Sequence, residues 1–372
     1  MPRLFGADFT RSALCELVGD IDQVAGVTRL EFTEGPERGV ELLRFRTGSG
    51  LDFNVLPGRG MDIAHASYQG LALAWMSAVG IPHSAHYQPP GLGWLRSFYG
   101  GLLATCGLLS AGAPGADPEH DNINAGVATE DTATVKLGLH GRVNQTAARN
   151  VWADGCWEGD DYLLTASGRV REAIVFGENV ELLRRVQAVA GESAVTLVDE
   201  VTNRGHDTQP HMMLYHINLG WPVVSPASRL VTSAPEVEAR DAVAAPGLAQ
   251  CHRFEPPQPT YPEQVFYHQA LPDDAGQCQA GIINRELRGG FGVGITYRAA
   301  ELPELVQWKS MKRGTYVCGL EPANCRVTGR ADERAAGRLK FIEPGQTISY
   351  QVRIEVLDGP ADCQRFEAAA AR

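Results

Sequence analysis

The chain has 372 residues, of which 44% are apolar, so it can bury a large core as one large domain or two smaller ones. Its formal net charge of −11 argues against a nucleic acid or an anionic membrane surface as the main partner. We expect a cytoplasmic protein with no membrane partner, because the first residues lack the pattern of a signal peptide and no stretch has the roughly 18 apolar residues of a membrane span. Eight scattered cysteines without a CxxC motif favour reduced, buried thiols.

In chain order, the predicted elements are mostly strands. Helical periodicity occurs only in residues 12–26 and in residues 361–371. Residues 110–126 predict a long polar loop. Residues 171–223 alternate between apolar and polar positions and are interrupted by turns rich in Gly and Asn, which predicts a meander of antiparallel strands. Strict alternation over residues 347–356 predicts a half-buried strand.

This pattern predicts an all-β fold, a large antiparallel β-sandwich with few short helices. We expect residues 1–372 to form a single domain, since the sequence has no internal repeat or flexible linker. Residues 1–30 would be a lead-in of helix and strand, and residues 360–372 a helical tail.

Three short motifs contain side chains that can carry chemistry. In "LGLHGRVNQ", His140 and Arg142 share a face, and the glycine between them allows close approach of a ligand or of another strand. The alternative is a bend at a sheet edge with two solvated side chains.

In "HMMLYHINLG", His216 and Asn218 share a strand face and form a polar patch that needs a partner or water. A hydrogen-bonded structural histidine explains that patch equally well.

The third motif is "VCGLEPANC", in which Glu321 directly precedes a proline. Pro322 cannot donate to a sheet ladder, so the strand is expected to end there or to lie at an edge. A carboxylate at that point suits a general base, although most glutamates are ordinary surface residues.

Segment 258–268, "QPTYPEQVFYH", is rich in proline and aromatic residues and either lines a sugar site or is a packed connector.

No motif indicates a cofactor. "GGFGVGI" lacks GxGxxG spacing and a following helix, and the sequence has no HExxH, Walker or GxSxG motif. Cys106, Cys318 and Cys325 have no adjacent histidine that would lower their pKa, so buried structural thiols are expected. We therefore expect neither a cofactor nor a bound metal.

Taken in order, "LHGRV", "EVTNRG…HMMLYHINLG" and "YVCGLEPANC" resemble the galactose mutarotase (aldose 1-epimerase) superfamily. The resemblance extends from about Val55 to Val356 and is similar to a bacterial epimerase-like branch with unassigned substrates. It implies that His216 is the general acid and Glu321 the general base. It also implies that His140 binds and polarises the sugar. For anomer exchange we expect one group on each side of the sugar, with Glu321 as a carboxylate and the proton on His216. The family's usual "HPYFNL" is replaced here by "YHINLG".

The resemblance also implies further residues that bind substrate. The family's arginine lies upstream of the "HG" motif, which points to Arg96, or to Arg59 as the second choice. The family's aspartate has no clear counterpart, so Gln264 or His268 takes its place. Lys309, from a segment with half of the chain's four lysines, either reaches an anionic group on the substrate or lies in a solvated loop. The expected substrate-binding set is Arg96, Arg59, Arg142, Asn218, His268, Gln264 and Lys309.

The function implied is a cofactor-independent aldose 1-epimerase, an isomerase of carbohydrate metabolism. Its partner would be a small sugar, without nucleic acid or membrane, and an exposed sheet edge makes a homodimer plausible. Two alternatives stay open at this point. One is a non-catalytic carbohydrate-binding protein on the same fold. The other is a metal-dependent lyase or isomerase that uses His140, His216 and Glu321 as ligands.

Overall fold

A computed structural model describes residues 1–117 and 135–371 of the protein. The strands in those residues are, in chain order, β1 (Arg3–Leu4), β2 (Ala7–Asp8), β3 (Gly26–Glu31), β4 (Glu41–Arg46), β5 (Leu51–Leu56), β6 (Asp62–Tyr68), β7 (Leu71–Ala72), β8 (Ala104–Leu108), β9 (Gly115–Asp117), β10 (Val135–Leu137), β11 (Arg149–Glu158), β12 (Asp161–Ala173), β13 (Asn179–Val189), β14 (Ala194–Asn203), β15 (Gln209–Gly220), β16 (Ser228–Thr232), β17 (Glu236–Ala239), β18 (Gln264–Gln269), β19 (Gln277–Asn284), β20 (Phe291–Arg298), β21 (Glu304–Lys312), β22 (Thr315–Ala323), β23 (Lys340–Ile342) and β24 (Thr347–Asp358).

The described α-helices are short: α1 (Arg11–Leu17), α2 (Arg330–Ala335) and α3 (Pro360–Ala370). Short 3₁₀ segments occur at Ile21–Gln23, Gly35–Glu37, Ser84–His86, Gly93–Arg96, Val143–Gln145, Ala245–Gln250 and Leu287–Gly289. Helical structure near both chain ends confirms the two predicted helical regions. Helix α2 was not expected, because six residues are too few to show a helical period.

Two large antiparallel sheets dominate the fold. One has eight strands in the order β11-β12-β13-β14-β24-β20-β19-β16. The other has the order β17-β18-β21-β22-β15-β23, with β8 also paired to β15. A third sheet contains β3 to β7 in sequential order. The main apolar core includes buried residues of all three, such as Phe53, Leu182, Ile217 and Val352. The fold is therefore a large antiparallel β-sandwich, as predicted.

The predicted meander is correct for three strands and wrong for the fourth. β12, β13 and β14 pair consecutively, but the free edge of β14 is occupied by β24, with Val201 opposite Ile348. β15 therefore crosses to the other sheet. The predicted C-terminal strand is β24, whose buried residues alternate with more exposed ones as expected.

Strand β15 is buried on both faces, and each face has a different environment. Met213, Tyr215 and Ile217 belong to the main core. Met212 and Leu214, on the opposite face, belong to a second apolar cluster that also contains Trp94 and Phe98. His216 is on this second face, so the fold places it away from the main core.

A buried ionic network contacts β15 on the face opposite to His216. The Arg184 guanidinium contacts Asp62 at 2.6 Å and Asp199 at 2.6 Å, and all three side chains are fully buried. The Tyr215 hydroxyl donates to Asp199 at 2.7 Å. Burial raises the pKa of Asp62 to about 6, against the opposing charge of Arg184. The network ties the eight-stranded sheet to the residue next to His216.

Other expectations concern the cysteines, the polar loop and membrane spans. All eight cysteines are unpaired, and six of them are buried. Of the predicted polar loop, residues 118–126 lie outside the described residues. Among the described helices, none has the length and apolar character that crossing a membrane requires.

Candidate active site

The register of two neighbouring strands brings His216 and Glu321 together. β15 and β22 are antiparallel, with Ile217 opposite Leu320 and Asn218 opposite Gly319. His216 and Glu321 therefore occupy opposing positions on the same face of the sheet. His216 Nε2 lies 3.2 Å from Glu321 Oε1, and the two side chains are 5% and 2% exposed. We expected the two groups on opposite sides of a sugar, but the structure places them side by side on one wall.

Gly319 leaves the space that the Glu321 carboxylate occupies. A Cβ atom added at Gly319 would lie 2.6 Å from Glu321 Oε1 and 3.1 Å from His216 Cε1. Real Cβ atoms do not approach other atoms that closely, so any larger residue would displace the carboxylate. No sequence motif indicated this role for Gly319.

His140 comes from a different part of the chain and reaches the same place through a tight turn. Its φ angle is +59°, and that of Gly141 is +76°. A Cβ atom on Gly141 would lie 2.2 Å from the carbonyl oxygen of Ser110, so only glycine fits there. The Gly112 N–H donates to His140 Nδ1 at 3.4 Å, which assigns the ring proton to Nε2. The ring centroids of His140 and His216 are 5.7 Å apart.

All three side chains line one cavity of about 660 Å³. That volume is within the ordinary range for small-molecule sites. Aromatic rings surround His216: its centroid lies 5.3 Å from that of Phe98 and 5.4 Å from that of Trp308. Trp94 stacks on Phe98 at 4.3 Å. The remaining lining residues are Leu92, Leu95, Gly112, Ala113, Pro114, Leu139, Arg240, Asp241, Glu263, Val265, Val306, Val327, Thr328 and Asp332.

Burial shifts the acid–base properties of the pair in opposite directions. Desolvation raises the pKa of Glu321 well above its ordinary value, and the nearby charge of Glu263 adds to this. Desolvation also lowers the pKa of His216 well below its ordinary value, helped by His140. The pKa of His140 is lowered to about 4 by burial, with a smaller contribution from Arg240. Both shifts favour the neutral forms, with the one proton of the pair on Glu321 and both imidazoles uncharged.

That distribution differs from the sequence-based expectation, in which His216 carried the proton and Glu321 was a carboxylate. The physical reason is the depth of the site, which strand periodicity does not reveal. Glu321 Oε1 and His216 Nδ1 have no well-oriented hydrogen-bond partner among the described residues. Such buried polar atoms call for a ligand or an ordered water.

Sequence analysis missed the charged group at the cavity mouth. Arg240 follows β17 and is the only arginine or lysine among the described residues that line the cavity. Its Nε donates to Asp241 at 2.8 Å, and its Nη2 lies 3.8 Å from Glu263. Glu263 in turn accepts from Trp308 Nε1 at 2.9 Å. The proline- and aromatic-rich segment 258–268 thus contributes Glu263 and Val265 to the lining, while Arg240 had no motif that could have identified it.

The two arginines suggested by the resemblance lie elsewhere. Arg59 is fully buried, and its guanidinium donates to the carbonyl oxygens of Asn144, Pro82 and Ser97, each at 2.8 Å. All three guanidinium nitrogens therefore donate to backbone carbonyl groups. Arg96 is exposed at the end of a 3₁₀ segment and does not line the cavity.

The other five predicted substrate-binding residues also lie outside the cavity lining. Arg142 is exposed, although it is two residues from His140. Asn218 is buried, and its Nδ2 donates to the carbonyl oxygens of Gly101 at 3.1 Å and of His216 at 2.9 Å. It therefore supports the strand that carries His216.

The residues proposed in place of the family's aspartate are engaged with other side chains. Gln264 accepts from the Tyr261 hydroxyl at 2.7 Å, and His268 Nε2 is 2.9 Å from Gln307 Oε1. Neither lines the cavity. In both cases a contact with another side chain holds the residue away from the cavity.

Lys309 points away from the cavity. Its neighbour Trp308 lines the cavity, so strand alternation directs Lys309 to the other face of the sheet. There its Nζ lies 2.8 Å from Glu255, and the lysine side chain is fully buried. The solvated-loop alternative is also wrong, because the lysine is in strand β21.

Within the described residues, no three His, Cys, Asp or Glu side chains are grouped as a metal site would require. His140, His216 and Glu321 share a cavity but do not converge as ligands on one point. The geometry is that of a proton-transfer pair with a neighbouring imidazole.

Solved structures of other proteins have the same fold. A "putative aldose 1-epimerase" from Klebsiella pneumoniae subsp. pneumoniae superposes with a TM-score of 0.84 at 23% identity, covering 95% of this chain and 91% of that one. A galactose mutarotase-like protein from Clostridium acetobutylicum gives a TM-score of 0.60 at 12% identity, with 89% and 98% covered. Galactose 1-epimerase from Lactobacillus acidophilus gives 0.53 at 11%, with 90% and 99% covered.

Sequence comparison identifies the family. No curated protein matches the chain significantly. A family profile described as "Domain of unknown function (DUF4432)" matches residues 37–356, which include every element of the candidate site. The chain therefore belongs to the DUF4432 family and has the galactose mutarotase-like fold.

Proposed function

We propose that the protein is an aldose 1-epimerase that interconverts the anomers of a free sugar without a cofactor. The observation that carries this proposal is the buried His216–Glu321 pair, 3.2 Å apart, on the wall of a cavity of about 660 Å³. The fold shared with aldose 1-epimerases supports it, although fold alone does not fix function.

Anomer exchange needs two proton transfers at neighbouring atoms. A base removes the proton from the C1 hydroxyl, and an acid protonates the ring oxygen as the C1–O5 bond breaks. The resulting aldehyde rotates, and the ring closes on its other face by the reverse transfers. Both oxygens are bonded to C1, so two groups side by side on one wall can contact them together. This removes the need for groups on opposite faces of the sugar.

In this proposal, His216 and Glu321 exchange protons with the sugar, and the pair holds one proton throughout. The neutral imidazole accepts a proton from one sugar oxygen while the Glu321 carboxyl donates to the other. The pair then has the reverse distribution, and ring closure restores the original one. Each positioned proton transfer typically contributes about 10²–10⁴-fold in rate. The apolar surroundings make both ionised forms costly, so the neutral pair is the resting state and the charged distribution forms only as the sugar ring opens.

The surrounding residues bind and orient the sugar. Neutral His140, with its proton on Nε2, serves as a hydrogen-bond donor to a sugar oxygen. The rings of Trp94, Phe98 and Trp308 provide apolar surface for the ring face of a sugar. Arg240 takes the part of the arginine that the resemblance implied at other positions.

The electrostatics of the mouth favour an uncharged sugar. Arg240 is accompanied there by Asp241, Glu263 and Asp332, so acidic groups outnumber the cation. Lys309, which sequence analysis offered as a partner for an anionic group, is bound to Glu255 on the other face of the sheet. We therefore propose a free aldose rather than its phosphate as substrate, in the cytoplasmic metabolism of carbohydrates.

The test is anomer exchange measured by NMR saturation transfer across common aldoses, including deoxy and phosphorylated sugars. We expect faster exchange for at least one uncharged sugar and none for its phosphate. Sugar binding by calorimetry without any faster exchange would reject the enzyme and leave a carbohydrate-binding protein on the same fold.

A further inference from the structure

A second pocket lies on the outward face of the eight-stranded sheet and is lined mainly by arginines. It has a volume of about 530 Å³ and is formed by Arg149, Asn150, Arg169, Arg171, Glu181 and Arg204. The neighbours of Glu181 in β13, Val180 and Leu182, face the main core, so Glu181 faces away from it. This pocket is unrelated to the cavity that contains His216.

Glu181 organises three of the four arginines. Its side chain is 5% exposed and accepts from Arg169 at 2.8 Å, Arg171 at 2.5 Å and Arg204 at 3.1 Å. Burial opposes its ionisation, but the hydrogen bonds from these arginines hold the pKa of Glu181 below its ordinary value. The carboxylate is therefore ionised at neutral pH and fixes the three guanidinium groups around itself.

The pocket has more positive charge than Glu181 can balance. Four guanidinium groups face one carboxylate, which leaves a net charge of +3 on a chain whose formal net charge is −11. Arg149 forms no ion pair among the described residues, and it lies directly opposite Arg169 in the register of β11 and β12. Like charges directly opposite each other on paired strands are destabilising. An anionic ligand would remove that repulsion.

We propose that this pocket binds the phosphates of a polyphosphate group. A guanidinium has five N–H donors in a fork that matches phosphate oxygens. Arg169, Arg171 and Arg204 use only part of their donors on Glu181. The excess of three positive charges is larger than the charge of about −1.5 to −2 that a single phosphate group carries at pH 7. Two or three linked phosphates fit that charge better than one, whether free or attached to a nucleoside.

Calorimetric titration with pyrophosphate tests the proposal. We expect binding by the wild-type protein, at least fivefold weaker binding of inorganic phosphate, and binding of adenosine triphosphate but not of adenosine. Arg149→Glu should weaken pyrophosphate binding at least tenfold, because it reverses the one charge in the pocket that Glu181 does not hold. Arg149→Ala should weaken it less. Thermal unfolding should show that both variants are folded.

Two control variants locate the binding. Arg38 is another exposed arginine without an ion pair among the described residues, so Arg38→Glu changes the net charge equally and should keep wild-type affinity. Arg240→Ala removes the cation of the candidate active site and should also keep it. The proposal is overturned if the wild-type protein does not bind pyrophosphate, binds phosphate with equal affinity or binds adenosine. It is also overturned if Arg149→Glu leaves the affinity for pyrophosphate unchanged or if Arg240→Ala lowers it.

Discussion

His216 and Glu321 lie opposite each other on adjacent antiparallel strands, with Nε2 and Oε1 3.2 Å apart, although 105 positions separate them in the sequence. The backbone ladder between β15 and β22 fixes this separation. Burial raises the pKa of Glu321 and lowers that of His216, which favours a single proton on the carboxyl group. Most predictions below follow from this pair.

Replacing Glu321 by glutamine should abolish anomer exchange while sugar binding survives. The amide keeps the shape of the side chain but cannot donate and accept a proton in turn, so we expect kcat to fall by about 10²–10⁴-fold. NMR saturation transfer gives the rate and calorimetry the affinity. Glu263→Gln is the matched control, because Glu263 lines the same cavity and should affect binding more than kcat. An unchanged exchange rate in Glu321→Gln would reject the proposed mechanism.

The pH profile of kcat should have a broad plateau across neutral pH. The singly protonated pair persists until His216 is protonated, below the ordinary pKa of 6.5, or until Glu321 is ionised, above the ordinary pKa of 4.5. The acid limb of the profile should therefore lie well below pH 6.5 and the basic limb well above pH 4.5. Unshifted groups would instead hold the single proton, as protonated His216 and ionised Glu321, only between the two ordinary values. An acid limb at the ordinary pKa of Glu and a basic limb at the ordinary pKa of His would contradict both shifts.

Glu321→Gln should also stabilise the protein increasingly as pH rises. The folded-state pKa of Glu321 is raised, so between the unfolded and folded values the native state binds more protons than the unfolded state, and stability falls with pH. Glutamine removes this loss. The gain in the free energy of unfolding should start near pH 4.5 and grow by at most about 1.4 kcal/mol per pH unit. Urea unfolding at pH 4.5, 6 and 7.5 measures it, and a gain independent of pH would contradict the raised pKa.

Gly319→Ala should reduce activity because its Cβ would occupy the space of the Glu321 carboxylate, at 2.6 Å. We expect kcat to fall at least tenfold, as the carboxyl group moves out of line with the sugar. Gly58→Ala is the control, since a Cβ added there meets no atom within 4 Å and its φ angle is ordinary. Equal activity in the two variants would show that the position of the carboxyl group is not critical.

Arg184→Met should destabilise the fold strongly, since it leaves Asp62 and Asp199 buried without their cation. Breaking a buried ion pair in this way typically costs about 3–5 kcal/mol. Arg29→Met removes an exposed pair with Glu41 and should cost less than about 1 kcal/mol. Urea unfolding compares the two, and similar losses would mean that the buried network contributes little.

The sequence predicted the architecture well where strand periodicity was regular. Alternation in residues 347–356 identified β24, and the turns after β12 and β13 identified the hairpins that follow them. It did not predict that β15 leaves the meander, because that depends on β24 occupying the edge of β14. Pairing between distant strands is not visible in local patterns.

For the site, motifs indicated His140, His216 and Glu321, and the structure places these three in one cavity. The predicted substrate-binding residues lie outside it, and Arg59, His268 and Lys309 have partners that only the folded chain reveals. Arg240 was missed because it has no motif and enters the cavity from the loop after β17. The charge of a residue in the sequence does not show whether the folded chain buries that residue as a structural ion-pair partner or places it at the mouth of a cavity.

Backbone pairing sets the spacing of the two reactive groups, whereas much of the cavity mouth is formed by connecting segments such as those containing Leu92, Pro114, Arg240 and Asp332. Changes in those segments can alter which molecule enters without moving the reactive groups. For the aldose 1-epimerase that we propose, preference for one carbohydrate over another should therefore depend on those segments, and engineering of new selectivity should begin there.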